Sequence, residues 1–289
     1  MNYNFTQKNK TITFVMMAVG LISVIAAFAT HSHQAWSNLL HNTFYFMAIA
    51  LAATFFLSVQ YAAEVGWSVV LKRILEAMTT FLPFAAVLML VVFFGNYVAA
   101  HNGGHYLYHW LHEELFDPAS AEYDAIIAGK AGYLNLPFFT IRMLAYFAIW
   151  IGCAHMLRKY SRQEDIEGGT HNYFKAKKLA IYFLVAFAVT SSTAAWDFIM
   201  SIDTHWFSTL FGWYTFAGMF ISAIAVMNFI LAYNVKKGNM PFITEHHLHD
   251  AGKFMFAFSI FWTYLWFAQF MLIWYANIPE EVTYFMVRF

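Results

Sequence analysis

Residues 77–100 read AMTTFLPFAAVLMLVVFFGNYVAA, and this stretch decides the fold: it holds no Asp, Glu, Lys, Arg or His. A helix needs about 20 apolar residues to cross a hydrocarbon core of roughly 30 Å. Six other stretches are comparable: 11–30, 42–63, 134–157, 179–196, 207–235 and 254–278. Only 134–157 carries any Asp, Glu, Lys, Arg or His, namely Arg142 and His155. A transmembrane β-barrel would show alternating segments of about ten residues instead of such runs. The expected fold is therefore all-α and integral to the membrane: one transmembrane domain over 1–289, a multi-span bundle of seven helices.

Composition agrees. Hydrophobic residues make up 61% of the 289 positions and charged residues 11%, against about 25% charged in soluble domains. This excludes a disordered chain, a nucleic-acid binder with a basic patch and a soluble globular enzyme. The single cysteine, Cys153, rules out an intrachain disulfide and any four-cysteine metal or iron–sulfur site. No soluble domain interrupts the array of spans, so any energy source is expected from partners.

Basic residues set the expected orientation. Lys8 and Lys10 precede the first span, and Lys72 and Arg73 follow the second. Arg158, Lys159, Arg162, Lys175, Lys177 and Lys178 lie between the fourth and fifth. Lys236, Lys237 and Lys253 lie between the sixth and seventh. The alternate loops hold only Lys130, so the N-terminus is expected in the cytoplasm. The long loop 101–133 on the other side is acidic and rich in His. Lys8 and Lys10 followed by an apolar run and Ala27-Phe28-Ala29 also fit a signal peptide cleaved near residue 29, although the run exceeds the usual h-region. The tail after Ile278-Pro279-Glu280-Glu281 stops without a polar close, and the chain is expected to continue past Phe289.

Ionisable groups at membrane depth are costly and point to function. Asp197, Asp203 and His205 follow the fifth span within a few turns. Two carboxylates beside an imidazole can hold and pass a proton; the same residues also fit a wet interfacial loop anchored by Trp196 and Trp206. Arg142 lies one to two turns inside the fourth span, where an unpaired guanidinium costs about 2.5–3.5 kcal/mol. Asp197 is its natural partner. His155, deep in the same span, reads as a packing residue or a further step in a proton path. His101, His105, His109 and His112 have helical spacing, compatible with a metal site or a subunit interface, but Gly103-Gly104 argues against one continuous helix. Glu64 and Glu76 flank Lys72-Arg73, solvated or paired with those bases. His246, His247, His249 and Asp250 are expected in a loop before the last span.

Several of these segments look familiar. Tyr108-His109-Trp110, then Lys130 and Tyr133-Leu134-Asn135-Leu136-Pro137-Phe138-Phe139 with Arg142, resembles the outer loop and fourth span of the NrfD/polysulfide-reductase-like membrane subunits of bacterial alternative complex III. Trp196-Asp197 through Ser201, His205-Trp206-Phe207-Ser208-Thr209 and Phe211-Gly212 point the same way. Tyr264-Leu265, Phe267, Gln269-Phe270 and Ile278-Pro279-Glu280-Glu281 are similar to the second of the two such subunits, the ActF type. The resemblance covers most of the chain from the second span onward. It implies a four-helix bundle from spans 2–5 and membership of a quinol-oxidising complex in the bacterial inner membrane. It further implies partners: the NrfD-like paralogue ActC, an iron–sulfur subunit and multihaem cytochrome c subunits, with the haem c and Fe–S clusters on those neighbours. A subunit of this type is expected to bind no redox cofactor directly, to touch lipid, and to supply a proton path or a menaquinone/quinone site. By position, Asp197, Asp203 and His205 match the family's acidic–histidine segment and Arg142 its span-4 arginine.

Two other classes stay open on sequence grounds. A transporter or channel usually shows mid-span Gly/Pro breaks, whereas Pro83 and Pro137 lie near span ends. A haem-b anchor needs two facing axial ligands, and His41 with His101 is the pair the spans offer.

Overall fold

The computed structural model describes residues 6–30 and 32–288, and among these it is helical with no strand. Seven helices are long and apolar enough to cross a bilayer, and the chain is a multi-pass membrane protein built as a helical bundle. The spans are α1 (Gln7–Thr30), α2 (Ser32–Ala62), α3 (Lys72–Met78) running through a 3-10 turn into α4 (Leu82–His101), then α6 (Leu136–Glu167), α7 (His171–Phe198), α8 (Leu210–Lys236) and α9 (Glu245–Ala276). Two shorter helices lie outside them, α5 (Ala125–Gly129) in the long loop and α10 (Pro279–Met286) after the last span.

α2 packs against α4 and α7, and α6 packs against α4 and α7, which closes the second to fifth spans into a four-helix bundle. α8 lies across α2 and α7, and α9 pairs with α8. α1 is the most apolar span, with mean hydropathy 2.5, yet buries no residue. It meets α2 near its end, where Phe28 packs edge-on against Trp36 at 4.7 Å; the rest of its surface is left for lipid or a neighbour. Trp36 lies so close over Gly95 of α4 that a Cβ there would come within 2.0 Å of the indole. The bundle interior is aromatic. Phe93 stacks on Phe139 at 4.4 Å, Phe55 on Phe187 at 4.8 Å, and Trp150 is fully buried. Two buried hydroxyls of α2 bond their own helix, Thr54 donating to the Ala50 carbonyl and Ser58 to that of Thr54, so they cost the core little.

The helices outrun the apolar stretches. The basic segment 158–178, expected as a loop, is helical except for Gly168-Gly169-Thr170. α2 starts ten residues before the apolar run at 42, and α9 takes up His246, His247, His249 and Asp250, expected in a loop. Hydropathy marks the thickness of the hydrocarbon, whereas a helix continues into water wherever its backbone stays bonded and its charges find partners. At α9 the start is a capping box formed by Thr244 and His247.

Ion pairs clamp the basic end. Lys72 reaches Glu164 at 3.0 Å, and Arg73 holds both Glu76, at 2.5 Å, and Asp165. Lys177 pairs with Glu64, so Glu64 answers the α7 lysine and not the neighbouring Lys72-Arg73.

Candidate functional site

At the other end, two helices each contribute one charge. α6 begins where Asn135 caps it, its Oδ1 accepting the Phe138 N–H at 2.9 Å, with Pro137 in the first turn. That start places Arg142 about two turns inside. α7 ends at Phe198, which leaves Asp197 in its last turn. Arg142 Nε donates to Asp197 Oδ2 at 2.8 Å and Nη2 to Oδ1 at 2.9 Å, a two-pronged pair. The Tyr146 hydroxyl donates to Oδ2 at 2.8 Å. Arg142 Nη1 donates to the Tyr133 carbonyl at 2.9 Å, and the guanidinium lies 3.8 Å from the Tyr133 ring centre and 4.3 Å from that of Phe138. Asp197 is 1% exposed. A carboxylate at a helix C-terminus opposes the helix dipole; here the guanidinium compensates it.

Neighbouring polar groups tighten the same place. The Tyr108 hydroxyl donates to the Phe198 carbonyl at 2.9 Å and Ser201 to the Asp197 carbonyl at 2.5 Å, so the end of α7 is bonded from the loop above. Tyr146 stacks on Trp150, whose indole donates to Thr190 at 2.9 Å. Burial, followed by the negative Asp197, pushes the Tyr133 phenol up to about 12. The buried Tyr108 phenol is raised by the same two causes.

The expected trio does not converge. Asp197 belongs to the buried pair, and neither Asp203 nor His205 bonds it. Asp203 accepts the Trp206 N–H at 3.4 Å, while His205 Nε2 meets Asp124 at 2.6 Å and latches the loop after α7 to the long loop. The Ile127 N–H, with His205 second, holds the Asp124 carboxyl below its ordinary value. His155 is exposed on the outside of α6 and not packed in the core, because it follows Ala154 of the buried stripe by one position and so turns about 100° away. The histidine ladder is broken: α4 ends at His101, and His109–Leu111 is a separate 3-10 turn. His41 lines a cleft of about 720 Å³ between α2, α8 and α9, whereas His101 lies against the Tyr97 ring and faces Glu113 at 3.5 Å.

Sequence reasoning missed Tyr146 and Asp124. Tyr146 follows Arg142 by four residues on one helix face, a signal that could have found it. Asp124 carried none, since its partner His205 is 81 residues away. Beside the pair lies a cleft of about 380 Å³ lined by Lys130, Tyr133, Trp196, Ser201, Asp203 and Trp206. The Lys130 ammonium donates to the Thr204 carbonyl, and desolvation lowers its affinity for its proton. Both Trp196 and Trp206 have buried indole N–H groups without a partner.

Fold and site together define a multi-pass membrane protein whose bundle locks a buried arginine–aspartate pair under an exposed, acidic loop. The sequence matches no protein-family model and no curated protein.

Proposed function

We propose that the chain is a membrane subunit of a bacterial quinol-oxidising respiratory complex of the alternative complex III type, carrying no redox cofactor itself. The observation that supports this reading is the Arg142–Asp197–Tyr146 unit, a buried charge pair with a hydroxyl attached, placed just below an acidic loop. Quinol oxidation releases protons where the quinol is oxidised, and acid groups there must take them. In this reading Tyr146 and Asp197 form the inner step and Asp203 and His205 the wet surface that exchanges with water. Arg142 balances the negative charge of the Asp197 carboxylate while the proton is elsewhere. The 380 Å³ cleft, walled by Tyr133, Trp196 and Trp206 and lined also by Lys130 and Ser201, suits a flat quinone head group bearing oxygen acceptors.

The orientation that goes with this function puts the N-terminus and the ion-paired basic end in the cytoplasm of the inner membrane, and the acidic loop on the far side. Electrons would travel on neighbours: an iron–sulfur subunit and multihaem cytochrome c subunits, with the paralogue ActC beside this chain. Gentle purification through a tag on this chain tests the assignment. Haem-staining and iron–sulfur polypeptides should co-purify with quinol-oxidising activity. Recovery of the chain alone, with flux of a solute through liposomes, would overturn the reading in favour of a transporter. In the intact complex Tyr146→Phe keeps the ion pair and should slow quinol oxidation by about 100-fold, the lower end of what a proton-transfer group contributes.

A further inference from the structure

The long loop 102–135 is held by buried Trp110, Leu111, Leu115 and Ile127. Its middle is tied to its exit by the Asp124 N–H, which donates to the Leu115 carbonyl at 3.1 Å. Within that frame three donor groups share one space. His112 stands between two 3-10 turns, Glu114 sits on the second of them, and Glu122 returns after a turn in which the Ser120 hydroxyl accepts its N–H at 3.1 Å. One ligand atom from each lies within 4.8 Å of the others. The Tyr106 ring stacks over the imidazole at 6.0 Å and 24° and fixes its plane.

The charges around this space do not balance. Glu113 faces His101, and Asp124 meets His205. Among the described residues no cation pairs with Glu114 or Glu122, and no hydrogen bond joins either to His112. His112 Nδ1 is itself buried and without a partner. Two carboxylates this close repel each other unless a positive charge sits between them. An imidazole nitrogen with two carboxylate oxygens is a donor set for a borderline transition metal. Calcium and magnesium prefer six or more oxygens.

We propose that His112, Glu114 and Glu122 bind a divalent transition metal, zinc foremost, at the surface of this loop. Bonds of about 2.0–2.2 Å draw the two exposed glutamates inward toward the anchored imidazole, and water completes the coordination. The ion cancels the carboxylate repulsion and staples residue 112 to residue 122. It gives the loop a rigid outer face independent of the Arg142–Asp197 pair.

The test uses the full chain in detergent, stripped with a chelator and dialysed against buffered zinc, with metal content read by mass spectrometry. About one zinc per chain and a raised melting temperature are expected, with calcium unable to compete. His112→Ala and the near-isosteric double variant Glu114→Gln/Glu122→Gln should lose the bound zinc and the thermal shift, while His109→Ala keeps both. The double variant changes only exposed side chains, so it separates loss of metal from loss of fold. Wild-type protein without zinc above background overturns the proposal. So does a wild-type stoichiometry that survives in both variants, because the ion would then sit on other imidazoles.

Discussion

At the scale of single residues, the energetics centre on one guanidinium and one carboxylate. Removing one partner of a buried ion pair strands the other charge and costs about 3–5 kcal/mol. Arg142→Met should therefore lower the melting temperature of the detergent-solubilised protein sharply. Asp197→Asn strands the guanidinium and leaves one acceptor oxygen for the donors of Arg142 and Tyr146, so it should lower that temperature as well. The double variant Arg142→Met/Asp197→Leu, which strands no charge, should be milder than either single change. A double variant no more stable than the single changes would mean that charge compensation is not what holds the site. This pairing was legible in the sequence, because an arginine inside the fourth span has few candidate partners and Asp197 leaves the next span on the same side. The role of Tyr133 was not. Its carbonyl and ring serve Arg142 from outside the helix, and a backbone acceptor has no signature in residue type. The grouping of Asp203 and His205 with Asp197 failed because α7 stops at Phe198. Beyond it the chain no longer follows helical spacing, and nearness in sequence stops meaning nearness in space.

At the scale of elements, two connections matter. The α6–α7 hairpin turns through Gly168, at φ 68° and ψ −172°, and Gly169 at φ 70°. The first of these conformations is open essentially to glycine alone, so Gly168→Ala should destabilise the hairpin by about 1–3 kcal/mol in thermal or denaturant unfolding. The second connection is the Asp124–His205 latch between the two loops. Asp124 is held below its ordinary value, so its contribution to the latch is present above the unfolded carboxyl value of about 3.9 and is lost as pH falls through the lower folded one. Amide exchange at Ile126 and Ile127 should stay slow from neutral pH down to about 5 and speed up below about 4; exchange that is already fast at neutral pH would show no latch. Apolar length alone located all seven spans, since an apolar run of this size has no other stable home. It could not give the helix ends, which depend on caps and on distant pairs such as Lys177 with Glu64.

At the scale of the whole molecule, the bundle separates two chemistries. Basic residues with their acid partners gather at one end, and the acidic loop with the Arg142–Asp197 lock lies at the other. With Cys153 replaced by Ser, single cysteines at Asp203 and at Lys177 should react with an impermeant thiol reagent from opposite sides of sealed vesicles. Labelling of both from one side would dismantle the arrangement of spans. The α6–α7 hairpin also joins these two ends mechanically. From Gly168 back to Arg142 is about 39 Å of uninterrupted helix, and a similar rod leads on to Asp197. The bend near one membrane surface thus acts as the zero mark of a gauge read at the opposite surface. A single residue inserted into one arm would slide its tip by about 1.5 Å and rotate it by about 100°, enough to unseat guanidinium from carboxylate. A matching insertion in the other arm would bring the two tips level again.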